Sequence, residues 1–354
     1  MVKEWESQDY QHALAEFKLK LKTDPDDVDL YYRRSELYYF LEDYNSGIKD
    51  LDAILQRNSQ DALAYMFRGY GYGQLQDYPQ AIADYDAAIQ LAPNYAKAYF
   101  NRGTIHHKLK QYQSAIADFD QAIVFNPKDH NAYYNRGLAH NKLEKYSQAI
   151  ADYTEVIRLQ PNDEEAYYNR GNTYNKLKQY EQALLDYNQA IVLNPQDLEA
   201  YYNRANVHHK TQDYAQAIAD YSHVIKYNSR HAPTYFNRGT TYLSAQEYQG
   251  AIADFNTAIR LNPKYIEAYY NRAVANNKIK EYHKAIADHQ MAIKLKPNYA
   301  EAYGNLGLVY QTLGEKPQAV KSLQRAAKLF KEQNNLALYN YVENKLKEIQ
   351  SSKL

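Results

Sequence analysis

The 354-residue chain contains no cysteine, which excludes disulfides and thiolate-ligated metals at the outset. It contains no run of about 18 apolar residues, the length a membrane-spanning helix requires. Neither sign of charge is in excess: Lys plus Arg and Asp plus Glu both total 42. No overall field therefore draws the chain toward nucleic acid or an anionic lipid surface. The first ten residues carry charges but no apolar run, so no secretory signal is expected there. The lack of cysteine fits a reducing cytoplasm, the location expected here.

What the chain has in quantity is tyrosine, 40 residues of it, and its mean hydropathy is −0.78. One tyrosine recurs every 34 residues without a slip: Tyr31, Tyr65, Tyr99, Tyr133, Tyr167, Tyr201, Tyr235, Tyr269 and Tyr303. Length alone suggests roughly two or three globular domains, but no linker or shift of composition interrupts the period. An array of equal units is expected instead, each touching its neighbours and leaving an extended surface for a partner.

Nine complete frames run from Val28 to Gln333. With positions numbered from 1 within a frame, frame five begins at Glu164. Glu164 to Leu177 carries no proline and reads as one helix; a polar break follows, then a second apolar-periodic run from Tyr180 to Leu193. Pro195 stops it, as Pro93, Pro127, Pro161, Pro263 and Pro297 do elsewhere, because proline cannot continue a helix and disfavours helical geometry in the residue before it. Asp or Asn after the proline, such as Asn162 and Asp163, can cap the next helix. The unit is a helix-turn-helix.

The pattern Tyr-x2-Arg-Gly-x2-Tyr, then Ala-x3-Tyr, then Ala and Pro resembles the tetratricopeptide repeat. In frame five it comprises Tyr167, Arg170, Gly171, Tyr174, Ala183, Tyr187, Ala190 and Pro195. Departures are local: Ser59 and Ser229 replace the proline, and His106, His140, His208 and Asn276 replace the second tyrosine. The Tyr-x-Asn-Arg-Gly form looks bacterial. The resemblance implies an all-α fold, a right-handed superhelical solenoid of antiparallel helix-turn-helix units. Residues 1–27 match the last 27 positions of a frame, with Tyr10, Ala13, Phe17 and Pro25 in register. Residues 28–333 form the nine repeats as a single solenoid. In 334–354, Leu338, Val342, Leu346 and Ile349 fall at helical spacing, as in a terminal helix capping an otherwise exposed core.

Position 7, on the packing face with positions 4, 11 and 14, is arginine in frames one to eight, from Arg34 to Arg272. Such an arginine is costly unless a carboxylate meets it. Position 23 is Asp in the same eight frames, from Asp50 to Asp288, and frame nine loses both at once as Leu306 and Ser322. Joint loss favours pairing within a frame; Glu16 in the partial first unit leaves pairing across frames open.

The opposite face of the first helix holds positions 2, 5, 6, 9, 12 and 13. Position 6 is Asn101, Asn135, Asn169, Asn203, Asn237, Asn271 and Asn305, although asparagine is a poor mid-helix residue. A carboxamide offers a donor and an acceptor, the pair that an extended peptide backbone displays. Position 5 is aromatic at Phe100, Tyr134, Tyr168, Tyr202, Phe236 and Tyr270, and position 13 is Lys108, Lys142, Lys176 and Lys210. The asparagine column is similar to the ladders with which other repeat proteins, nuclear-import adaptors among them, hold extended polypeptide. Duplication of one ancestral unit would also repeat these residues without selection for a site. Acidic residues at position 2 and lysines at position 13 suit the helix dipole as well as a ligand.

Three other sites are set aside. A co-chaperone-type carboxylate clamp finds Lys97, Asn101 and Asn135, but Glu165 and Asn169 occupy its remaining basic positions. The pairs His106–His107 and His208–His209 are adjacent on a helix, about 100° apart, and cannot chelate one metal. Gly69-x-Gly71-x-Gly73 follows no strand and lacks a complete phosphate-loop pattern. No catalytic constellation and no need for a cofactor emerge. The expectation is a non-enzymatic interaction scaffold that holds a protein or peptide partner in a concave groove. Two alternatives are a single-stranded nucleic-acid binder stacking bases on position 5, against which the neutral charge argues, and a self-associating homo-oligomer.

Overall fold

A computed structural model describes residues 7–351, with side chains from Tyr10 onward. Twenty α-helices and no strands are found among these residues. By their contacts they divide into two compact units, one ending at Lys178 and the other beginning at Gln179.

In the first unit α1 (Ser7–Thr23) is followed by α2 (Val28–Phe40), α3 (Tyr44–Arg57), α4 (Ala62–Gln74), α5 (Tyr78–Leu91), α6 (Ala96–Lys108), α7 (Tyr112–Phe125), α8 (His130–Lys142), α9 (Tyr146–Leu159) and α10 (Glu164–Lys176). The second contains α11 (Tyr180–Leu193), α12 (Leu198–Lys210), α13 (Tyr214–Tyr227), α14 (Ala232–Ser244), α15 (Tyr248–Leu261), α16 (Ile266–Lys278), α17 (Tyr282–Leu295), α18 (Ala300–Thr312), α19 (Lys316–Glu332) and α20 (Leu336–Ser351). Each unit is a stack of helix hairpins in which consecutive helices pack on one another. The first helix of a frame covers positions 1 to 13; position 14 caps it instead of extending it, as Leu177 does after α10.

Small residues set how closely the helices approach. Ala132, Ala149, Ala166 and Ala183 are fully buried. Gly137 faces the Tyr153 ring so closely that a Cβ there would lie 2.9 Å from it. Asp27, Asp61, Asp129, Asp163 and Asp197 each accept a backbone N–H and cap the following helix. At Tyr95, His231, Tyr265 and Tyr299 the equivalent residue makes no capping bond. In 334–354, α20 buries Val342, Leu346 and Ile349 against α19, while Leu338 stays exposed; residues 352–354 lie outside the described residues, as do 1–6.

The turn inside each hairpin carries strain. Glu42, Gln76, Lys110, Glu144, Lys178, Gln212, Gln246 and Lys280 have φ between 58 and 63°, and only frame nine supplies a glycine there, Gly314 at 80°. This residue donates to the carbonyl three back, and the next residue donates to the one five back, as in Lys110 N to His107 O and Gln111 N to His106 O. That pattern terminates helices and favours glycine. A side chain in the left-handed region costs about 1–2 kcal/mol, offset in part by the larger unfolded-state entropy of glycine. Lys110→Gly is therefore expected to stabilise by about 0.5–1 kcal/mol, read as a raised urea midpoint; a lowered midpoint would contradict the strain argument.

Candidate groove site

The first helices of each unit are fixed by an arginine clasp. In frame four Arg136 donates Nε and Nη2 to Asp152 (2.6–3.2 Å) and Nη1 to Asp120 of the preceding frame (2.6 Å). The arrangement recurs: Arg68 meets Asp84 and Asp52, Arg102 meets Asp118 and Asp86, Arg204 meets Asp220 and Asn188, Arg238 meets Asp254 and Ser222, and Arg272 meets Asp288 and Asn256. Pairing is thus both within a frame and across frames. The cross-frame acceptor is position 25, whose signal in the sequence is a column of Asp, Thr, Asn and Ser. Arg68, Arg102, Arg136, Arg204, Arg238 and Arg272 also lie 5.3–5.9 Å over the ring at position 4, giving the invariant tyrosine a cation–π role. Burial pushes the carboxyls of Asp50 and Asp84 up against the lowering pull of Arg34 and Arg68. Such a pair costs nearly as much to desolvate as its attraction returns.

On the other face, all seven position-6 asparagines are half-buried. In six of them, Asn203 apart, Nδ2 reaches back to the preceding repeat or turn. Asn169 donates to Tyr134 Oη (3.0 Å), Asn237 to Tyr202 Oη (2.8 Å) and Asn305 to Tyr270 Oη (2.9 Å). Where the preceding position 5 has no hydroxyl, the amide turns elsewhere. Asn101 faces Met66 Sδ, Asn135 donates to Asn131 O (2.9 Å), and Asn271 lies 3.4 Å from Thr240 Oγ1. Asn169 also donates to Glu165 O. Backbone carbonyls only accept, so the amide orientation of Asn135 and Asn169 is fixed. In these six residues Oδ1 receives no donor from the described residues and is not sealed from solvent.

Tyr134 donates its own proton to Glu165 (2.9 Å), and Tyr32 donates to Asp61 (2.8 Å). Burial first, then these carboxylates, hold both phenols protonated far above their ordinary range. Position 5 is therefore a spacer between neighbouring first helices. Phe100, Tyr134, Tyr202 and Phe236 also rest on the buried rings Phe119, Tyr153, Tyr221 and Phe255, with centroids 5.8–6.0 Å apart. Tyr270 rests on His289 at 5.6 Å, and Tyr168, like Asn203, is half-buried.

The asparagines and aromatics are brought together; the lysines are not. Position 13 lies seven residues on, about 10 Å along the helix axis. Lys108, Lys142, Lys176 and Lys210 are exposed there. Lys176 and Lys210 lean onto Tyr146 and Tyr180, 5.4 and 5.8 Å from the ring centroids. In the first unit two openings flank Asn101. One of about 310 Å³ is walled by Tyr39, Met66, Phe67 and Tyr70. The other, of about 440 Å³, is walled by Tyr95, Phe100 and Asn131, and Lys97 lines both. The histidine pairs split: His106 Nδ1 meets Gln111, whereas His107 packs on the Tyr112 ring.

The comparisons place this architecture in a family. A model described as TPR repeat matches residues 69–110, 171–212, 239–280 and 277–314. Others described as Tetratricopeptide repeat match 96–129, 130–163, 152–184, 198–231 and 300–333. The chain belongs to the tetratricopeptide repeat family. No curated protein matches the sequence. A tetratricopeptide repeat protein from Parabacteroides merdae ATCC 43184 shares the fold, with 21% identity over 70% of this chain and 98% of that one and a TM-score of 0.51. Also similar are MamA 41-end from Desulfovibrio magneticus RS-1 (22% identity, 49% of this chain and 98% of that one, TM-score 0.46) and YrrB, titled a TPR protein with an unusual peptide-binding site (20%, 62% and 95%, TM-score 0.41). Among the described residues, no helix is long and apolar enough to cross a membrane.

Proposed function

We propose that this chain is an interaction scaffold that holds an extended peptide segment along the first-helix face, through the position-6 asparagines. The observation that carries the reading is the division of labour within the carboxamides of Asn101, Asn135, Asn169, Asn237, Asn271 and Asn305. Nδ2 is committed to the protein itself, which holds the side chain, and Oδ1 is left without a donor from the described residues and open to solvent. A column of fixed acceptors at repeat spacing suits the N–H groups of an extended backbone and is indifferent to its side chains. Locking the acceptors beforehand lowers the ordering cost that binding otherwise carries. This refines the expectation of a donor–acceptor grip: the amide donors serve packing, and the oxygens serve the ligand. The lysines, at the far end of the helices, set a rim of charge and not the grip itself.

The test is selection of peptides from a random 15-residue display library on the full chain, followed by affinity measurement on the selected peptides. Asn101→Ala/Asn135→Ala/Asn169→Ala removes three acceptors of the first unit, each worth about 0.5–1.5 kcal/mol. A loss of about 10-fold or more is expected. Tyr134→Phe/Tyr202→Phe removes the internal partners but keeps every Oδ1, and should change affinity by less than about threefold. Unchanged binding by a folded triple variant would end the asparagine account.

A further inference from the structure

Position 11 of the first helix is tyrosine in five frames (Tyr38, Tyr72, Tyr174, Tyr242, Tyr310) and histidine in three (His106, His140, His208); only frame eight has a residue without a ring, Asn276. Frame seven shows what the ring does in the second unit. Tyr242 packs against Gly250 and lies beneath the clasp arginine, 5.8 Å from Arg238 Cζ to the ring centroid. In frame eight the short Asn276 side chain is buried and reaches only Asp288 Oδ2, at 3.3 Å.

A cavity of about 420 Å³ opens there, lined by Arg272, Asn276 and Asp288 on its polar side and by Ile252, Ile279 and Ala287 on its apolar side. Arg272 directs Nε and Nη2 to Asp288 and Nη1 to Asn256. One ring, Tyr269, already lies 5.5 Å from its Cζ; what frame eight lacks is the second ring, the one that Arg238 meets in Tyr242. The other charges at the cavity, Lys284 and Glu281, pair with each other at 3.3 Å, so no net charge selects for an anion. The geometry points to a binding site for an uncharged phenol-type ring, supplied by a ligand where frame eight lacks its own tyrosine. The ring stacks on Arg272 by cation–π attraction, its edge meets Ile252 and Ile279, and its hydroxyl meets the Asn276 carboxamide.

The probe is p-cresol, the tyrosine side-chain analogue, titrated into the full chain and followed by the methyl resonances of Ile252 and Ile279. Saturable shifts confined to these methyls, with a Kd on the order of millimolar, are expected for so small a ligand. Cyclohexanol, of similar size but without a π face, should bind at least about fivefold more weakly. Asn276→Tyr should raise Tm by about 2–4 °C and abolish p-cresol binding. Asn276→His, the residue three other frames use, should weaken it in between and serves if the tyrosine variant does not fold. N-acetyltyrosine amide extends the test: binding assigns the site to a partner's tyrosine, and exclusion assigns it to a free phenol. No saturable p-cresol shift, equal binding of cyclohexanol, or binding undiminished in both Asn276 variants would each overturn the assignment.

Discussion

Arg238→Leu is expected to destabilise the second unit by about 3–5 kcal/mol, because it leaves the Asp254 carboxylate buried without its counter-ion. Asp254 is 4% exposed and receives two bonds from Arg238, at 2.7 and 2.8 Å. Ser222, the cross-frame acceptor, would lose its donor as well. The double variant Arg238→Leu/Asp254→Ser copies what frame nine already contains, where Leu306 and Ser322 are buried at 6% and 8% exposure. It should cost no more than about 1.5 kcal/mol, since a buried pair and a packed apolar replacement are often close in energy. In a repeat stack the damage is local, so the measurement is native-state hydrogen exchange of α14 and α15 together with the urea midpoint. Equal losses in the single and double variants would show that the clasp is not an energetic unit.

A second large effect concerns acid. His289 takes the place in α17 that Phe255 and Tyr221 hold in their frames; it is 1% exposed, and its Nδ1 has no partner among the described residues. Burial pushes its pKa down from 6.5 to about 4. The folded value lies below the unfolded one, so above pH 6.5 both states are neutral and stability is full. Between 6.5 and 4 only the unfolded chain gains the proton, and stability falls with pH; below 4 the loss is complete. Over that window about 3 kcal/mol is lost. Burial shifts His107, His208 and His209 the same way. His289→Phe should flatten the acid limb of the stability profile by about the same 3 kcal/mol, measured by urea titrations at pH 7 and pH 4. An unchanged profile would mean that His289 is protonated without cost in the fold.

The helix-turn-helix period and the hairpin boundaries could be read from the sequence because the tyrosine column and the polar breaks are local signals repeated nine times, with a proline in six of the nine frames. The arginine–aspartate match was legible through its joint absence in frame nine. Its second acceptor was not, because position 25 changes residue type from Asp52 to Asn256 and keeps only its ability to accept. The strained turns were also hidden: Lys110 and Glu144 look like ordinary polar loop residues, and only φ reveals the missing glycine. For the candidate site, which residues share the face followed from helical spacing. Their partners did not, because Asn169 and Tyr134 are 35 residues apart and meet only when repeats stack. Nothing in a single helix says that the amide end of a carboxamide faces inward.

The central claim is that asparagine oxygens open to solvent receive the N–H groups of an extended chain. The direct measurement is a backbone N-methyl scan of a display-selected peptide, set against an alanine scan of its side chains. The account predicts that N-methylation at successive groove-facing positions weakens binding by about 2- to 10-fold each, the value of one hydrogen bond, while most alanine substitutions cost less. Tolerance of N-methyl groups throughout, with affinity resting on one or two side chains, would contradict it.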